Sequence, residues 1–261
     1  MTTDDDTAKR IVQDIRTGAL FDAYSMQQPR TVDAAYAVQD QVAGHLAQDA
    51  AFGAVAGWKI AANSKALLER FGIGEPASGR VFAALRRDSP ADLRAAEYRQ
   101  FALEPEIAAV MKTTLAAQDA PFDTVTVQGA IDRFVPAFEL LDMRDCDMAQ
   151  IHLPDIIAQN ISNVGAVIGG PGIAPDQLDI SAVRTTLTID GEIRHDVTGA
   201  APQDPLEAVT WLANHLAERG LTLEAGQIVL CGTHSPIWYH DGTGEIVMDM
   251  SGLGQAALRI S

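Results

Sequence analysis

The sequence predicts an α+β fold, with helices first, a mostly antiparallel β core, and one long helix late in the chain. Three observations predict it. Apolar residues recur at helical spacing from residue 7 to about 50. Short apolar runs bounded by Gly and Pro then take over, including VRTTLTIDGEIRHDV with Asp190-Gly191 at its centre, the strongest hairpin signal in the chain. A regular apolar stripe returns behind Asp204 and Pro205.

In order, TAKRIVQDIRTGA reads as an amphipathic helix stopping near Gly18, and FDAYSMQQPR as a connector. VDAAYAVQDQVAGHLAQDA forms a second helix with Thr31 as its N-cap. These two make residues 1–50 a helical segment packed on a β-rich unit of residues 51–261. AFGAVAGWKIA reads as a buried strand, Asn63 as the cap of a short helix, and Gly72 as its stop. GIGEPASGRVF, rich in Gly, Pro and Ser, reads as loop. FALEPEIAAVM and FVPAFELLDMR read as strands, and LPDIIAQNISNVGAVIGG as helical before a GGPG turn. LEAVTWLANHLAERG is the clearest helix, capped by Asp204 and ended by Gly220. LTLEAGQIVLCG leads into a strand, and EIVMDMSGLGQAALRI is a final strand pair turning at Ser251-Gly252.

Composition narrows the function classes. With 47% hydrophobic and 21% charged residues the chain can bury a core and is not disordered. A formal net charge of −16 repels phosphate backbones and excludes nucleic acid as a partner. No run approaches the roughly 20 apolar residues of a membrane span, so no membrane partner is expected. Two cysteines, Cys146 and Cys231, form no framework, and MTTDDDTAKR does not read as a signal peptide, which fits the cytoplasm. No Gly-x-Gly-x-x-Gly follows a strand and no phosphate loop is present, so nucleotide binding has nothing to rest on.

The chemistry-bearing candidates are carboxylates. Glu104 and Glu106 sit at i and i+2 in an apolar strand and so share a face, where their repulsion calls for a cation or a proton. Pro105 between them lacks a ladder donor, which places it at a sheet edge or a bulge. Glu139 is a third acid amid apolar residues, and three carboxylates suit a hard cation such as Mg²⁺ or Mn²⁺. The alternative is that these glutamates are solvated on an open sheet face. Lys59 reads either as a buried acid or base or as a lysine snorkelling at a strand edge. His234 and His240 lie in the bulky segment THSPIWYHDG.

Several segments, in order, resemble the 2-keto-4-pentenoate hydratase and 4-oxalocrotonate decarboxylase family of the fumarylacetoacetate hydrolase superfamily. They are GWKIAANSKALLERFGIGEP, LEPEIAAVM, VPAFELLDMR, LPDIIAQNISNVGAVIGG and DPLEAVTWLANHLAERGLTLEAGQIVLCG. The resemblance covers nearly everything from residue 50. It implies a β-rich metal-dependent lyase of the hydratase type working through a metal-stabilised enolate, in which Glu104, Glu106 and Glu139 bind Mg²⁺ or Mn²⁺; the alternatives are a decarboxylase of the 4-oxalocrotonate type, an acylpyruvate carbon–carbon hydrolase, or a non-catalytic partner subunit. It further implies Lys59 as a proton-transfer or substrate-carboxylate group, Asn160 and Ser162 as substrate contacts, a small 2-oxo acid as substrate, and a homo-oligomer. Two departures stand out. Hydratase-like relatives carry an acid after the Glu-Pro of the loop, where this chain has Ala77 and Ser78. They also carry a small-residue turn with a lysine where this chain has THSPIWYHDG, so that His234 or His240 replaces the proton donor or the segment reshapes the pocket.

Overall fold

The computed structural model describes residues 4–21 and 31–261, so the connector expected at FDAYSMQQPR falls, past Phe21, outside the described residues. The elements run α1 (Asp4–Thr17), α2 (Val32–Leu46), β1 (Val55–Ala61), α3 (Lys65–Phe71), β2 (Ala77–Phe82), β3 (Arg86–Asp88), β4 (Ala91–Leu93) and β5 (Phe101–Met111). Then come α4 (Thr124–Ala130), β6 (Ile131–Asp142), α5 (Leu153–Ala158), β7 (Asn163–Ile168), β8 (Gly170–Pro171), β9 (Arg184–Ile189) and β10 (Glu192–Thr198). The chain ends with α6 (Pro205–Glu218), β11 (Ile228–Thr233), β12 (Trp238–Tyr239), β13 (Gly244–Met250) and β14 (Gly254–Ile260).

Two sheets carry the fold. The first has the order β2-β1-β11-β5-β6-β7-β3, with β12 added on β5, and the second runs β10-β9-β13-β14-β4, with β8 on β14. Most pairs are antiparallel; β1 with β11, β3 with β7 and β14 with β4 are parallel. One face of the first sheet, with Leu103, Ile107, Phe134, Phe138 and Leu140, packs with α6 and with Leu187, Ile246, Met248 and Leu258 of the second sheet. The helices α1, α2 and α5 close a second cluster over Ala77 and Phe82 of β2. None of the described helices is long and apolar enough to cross a membrane.

Local signals explain most elements. Thr31 caps α2 by accepting from the Ala34 N–H, and Asp204 caps α6 by accepting from the N–H groups of Leu206 and Glu207. Asp190 and Gly191 take φ of +50° and +79° between β9 and β10, the left-handed pair that a two-residue hairpin turn requires. The late helix α6 has 14 residues, no more than α1 or α2, so length does not set it apart.

Three local readings need correction. The cap of α3 is Ser64, which accepts from the Leu67 N–H; Asn63 instead donates its amide to the Cys231 carbonyl. ASGRVF is a fully buried strand, not loop. Its small residues admit neighbours: a Cβ at Gly79 would stand 3.2 Å from the Asn160 carbonyl and from Lys59 Cγ. The helix expected through LPDIIAQNISNVGAVIGG ends at Ala158, and NVGAVI is β7, buried between β6 and β3. Pro105 meets the second of its two expected placements, the bulge rather than the edge, because β5 lies between β11 and β6. It sits at an irregularity: the β11 ladder shifts register between Leu230 and Thr233, and β12 takes over opposite Leu103. The missing Pro105 N–H falls in that gap, and its carbonyl accepts from the His234 N–H at 2.8 Å.

Candidate active site

Strand register brings the three glutamates together. Glu104 pairs directly with Glu139 across β5 and β6, and Glu106 is two residues along on the same face. Lys59 on β1 is in register with Leu230 on β11, which pairs with Ala108 on β5, so its side chain joins that same face. The neighbours in the row are small: Ala137 opposes Glu106 and Ala166 opposes Glu139. Space above them is therefore left for the long polar side chains.

The carboxylates are not solvated. Glu106 and Glu139 are 1% and 0% exposed, Glu104 is half-buried, and a carboxylate oxygen from each lies within 4.8 Å of the others. Lys59 is buried too, at 3% exposure, with Nζ 3.0 Å from Glu139 Oε1; it does not snorkel. The same oxygen accepts from Asn163 Nδ2 at 2.9 Å. Glu106 Oε2 accepts from the Gly232 N–H at 2.7 Å. That approach needs glycine, because Gly232 has φ +113° and a Cβ there would lie 2.7 Å from Asn63 and Pro202.

One ammonium cannot neutralise three carboxylates in a buried site. Burial foremost, and the charge of Glu139 next, push Glu104 up to about 8 and Glu106 well above its ordinary value. Burial works against the Lys59 ammonium, but Glu139, Glu104 and Glu106 together outweigh it and hold that group above its ordinary value. Glu106 Oε1 and Glu139 Oε2 remain buried without a hydrogen-bond partner. Two orphaned carboxylate oxygens in a cluster of three acids fit a divalent cation, which would supply the missing charge and take the free lone pairs.

A pH dependence follows. Glu104 and Glu106 have folded-state values above their unfolded ones, so their contribution to stability is complete below about pH 4.5 and is lost as pH rises through those raised values, about 8 for Glu104. The chelator-treated protein is therefore expected to melt at progressively lower temperature from pH 5 to pH 9. Over the same range Mn²⁺ affinity is expected to rise, because the cation displaces the protons. A melting series with and without Mn²⁺ checks both; a metal-free Tm that climbs towards pH 9 would contradict the account.

A cavity of about 530 Å³ opens on this cluster, and Lys59, Glu104, Glu106, Ser162 and His234 are among its lining residues. Around it the backbone is strained: Asn160, Ile161 and Ser162 are three successive residues at φ +56°, +52° and +58°, and Ala62 is at +57°. Ser162 thereby reaches the cavity wall. Asn160 does not line it; its side chain is taken up by the backbone N–H and carbonyl of Arg80. His234 is 3% exposed, and burial first, then His195, lower it to about 4, so the ring is neutral. Its Nδ1 is 2.9 Å from Thr185 Oγ1 on β9. His240 is not among the lining residues.

Asn163 and Thr185 were not singled out from the sequence. Asn163 borders the Asn-x-Ser run, where a polar side chain at the start of an apolar strand was an available signal. Thr185 reaches His234 from the other sheet, 49 residues away in sequence, and offered none.

Comparison with known proteins now decides the family. Residues 80–261 match the model described as fumarylacetoacetate (FAA) hydrolase, C-terminal. The chain belongs to the fumarylacetoacetate hydrolase family. It is 33% identical over 206 residues to 2-keto-4-pentenoate hydratase of Paraburkholderia phymatum, covering 78% of each chain. It is 31% identical over 235 residues to 2-oxo-hept-4-ene-1,7-dioate hydratase of Escherichia coli, covering 87% of this chain and 86% of that one. In structure it is similar to 4-oxalocrotonate decarboxylase from Pseudomonas putida G7, complexed with magnesium and adipate. The TM-score is 0.89 at 23% identity, over 100% of this chain and 99% of that one. That likeness confirms the family's fold of mixed sheets and helices.

Proposed function

We propose that this member of the family is a divalent-metal-dependent lyase of the hydratase type, acting on a 2-oxo acid or its 2-hydroxydienoate form. The observation that carries the reading is the buried set of Glu104, Glu106 and Glu139, with two unpartnered carboxylate oxygens, facing Lys59 at the cavity. The hydratases among its relatives and the magnesium complex of its structural neighbour support it.

Glu104, Glu106 and Glu139 would hold Mg²⁺ or Mn²⁺, which would supply Lewis-acid stabilisation for negative charge developing on a 2-oxo oxygen. The Asn163 amide and the Gly232 N–H orient two of the carboxylates. Lys59 Nζ holds a proton beside Glu139 and delivers it to the substrate. His234 is a neutral imidazole whose Nδ1 is fixed by Thr185, leaving Nε2 for a water or a substrate proton. The Ser162 hydroxyl offers a contact to substrate oxygen at the wall.

One observation favours a second reading, decarboxylation. Among the described lining residues the carboxylates are Glu104 and Glu106 alone, and Ser78 is fully buried away from the cavity. Water activation thus falls to His234, whereas loss of CO₂ needs no activated water.

Incubation with Mg²⁺ or Mn²⁺ and freshly made 2-hydroxypenta-2,4-dienoate is expected to remove the dienol ultraviolet band faster than uncatalysed ketonisation. A chelator is expected to abolish that acceleration. CO₂ release from 4-oxalocrotonate separates the second reading. No loss of either substrate, with or without metal, would contradict both.

A further inference from the structure

The rest of the cavity wall says what the substrate carries beyond its reacting carbons. Leu67 and Phe71 come from α3, Met148 and Ile151 from the segment between β6 and α5, Ile156 from α5, and Ile237 from the chain after β11. All six are partly exposed, so each presents apolar surface to the cavity without being sealed in the core. At about 530 Å³ the cavity is in the range that encloses a drug-sized ligand, and a five-carbon acid leaves much of it unfilled.

Cationic groups are scarce on that wall. Among the described lining residues they are Lys59, held by Glu139, and Arg70. Arg70 is exposed, donates to the Met148 carbonyl, and lies over the Phe71 ring with 5.4 Å from the guanidinium carbon to the ring centroid. A second carboxylate reaching it would meet a charge that is screened by water and already hydrogen-bonded. Among the described residues, a carboxylate stopping short along that wall would lie against Leu67, Phe71, Met148, Ile151, Ile156 and Ile237, whose side chains offer it no donor. Each methylene buried there, by contrast, strengthens binding by about three- to fourfold.

We propose that the chain prefers monocarboxylic 2-oxo acids with an apolar tail longer than the five-carbon backbone, and disfavours 2-oxo dicarboxylic acids. The inference rests on the reading of the glutamate site as a 2-oxo acid site and sides with hydration, because 4-oxalocrotonate is itself a 2-oxo dicarboxylic acid. The tail occupies the wall formed by α3, α5 and the segment between β6 and α5, while the 2-oxo carboxylate end lies at Lys59 and the glutamates.

Calorimetry on the Mn²⁺-loaded full chain tests this with unreactive saturated acids. 2-Oxooctanoate is expected to bind at least tenfold more tightly than 2-oxopentanoate, and 2-oxoheptanedioate no more tightly than 2-oxopentanoate. Leu67→Arg, on the partly exposed side of α3, is expected to weaken 2-oxooctanoate about tenfold and to strengthen the dioate. Arg70→Ala is expected to change neither acid more than about twofold. Equal affinities across chain length overturn the proposal, as does a dioate preference that Arg70→Ala removes. If plain octanoate binds as tightly as 2-oxooctanoate, the apolar tail site stands and the 2-oxo acid reading fails. If none of the acids binds, both fail.

Discussion

Glu106→Gln is expected to lower kcat/KM by about a thousandfold, equivalent to about 4 kcal/mol of transition-state stabilisation. The loss should come without a loss of metal-free stability. Glu106 Oε2 accepts from the Gly232 N–H, and a glutamine carbonyl can keep that bond. Its other oxygen, Oε1, has no partner and belongs to a group that burial and neighbouring carboxylates already hold against ionising. Replacing that carboxyl with an amide of the same shape keeps the position neutral at every pH, so no charge is left for the buried cluster to accommodate. The metal-free melting temperature is therefore expected to stay level or to rise, while Mn²⁺ binding weakens. A parallel fall in activity and in metal-free Tm would mean that Glu106 acts on the fold rather than on a cation. Steady-state kinetics and chelator-treated melting curves on the same preparation separate the two.

Lys59→Met is expected to be the most damaging single change at the site. It leaves Glu139 buried without the ammonium 3.0 Å away, and removal of one partner from a buried pair costs about 3–5 kcal/mol. For a chain of this size that corresponds to a Tm lower by roughly 10 °C. Two features identify the cause as charge. The deficit is expected to shrink at pH 5, where more of the carboxyl groups hold protons, and to shrink on addition of Mn²⁺, which binds only the folded form. Activity is expected to stay at least about a hundredfold down even with saturating Mn²⁺, because the proton carried at Nζ is gone. A deficit indifferent to both pH and Mn²⁺ would instead indicate lost packing along β1.

The part of this site legible in the sequence was the part encoded by short-range pattern. Glu104 and Glu106 share a face because strand geometry has a period of two, and resemblance placed Glu139 with them. What pattern could not show was the register that sets Glu139 directly against Glu104, or the path from β1 through β11 that carries Lys59 to the same face. The fold was legible where local chemistry decides structure, as at Thr31, Asp204 and the Asp190-Gly191 turn. It was misread where small residues serve tertiary contact. Ser78 and Gly79 look like loop chemistry, yet they form a buried strand because Asn160 and Lys59 press against it. Pro105 called for an edge or a bulge, and the bulge holds: an internal strand tolerates it where the neighbouring ladder is interrupted. Asn160 looked like a substrate contact on the strength of its motif, but its amide is taken up by Arg80.

The cation site is tested most directly by a calorimetric Mn²⁺ titration of the chelator-stripped protein at pH 7, run in two buffers of different ionisation enthalpy. One saturable site per chain is expected, with net proton release on binding, because Glu104 and Glu106 give up protons that burial had raised their hold on. Both the site and the proton release are expected to disappear in Glu106→Gln/Glu139→Gln. No saturable binding to the wild-type chain, or binding that survives the double substitution, would contradict the assignment of these three glutamates as the cation site.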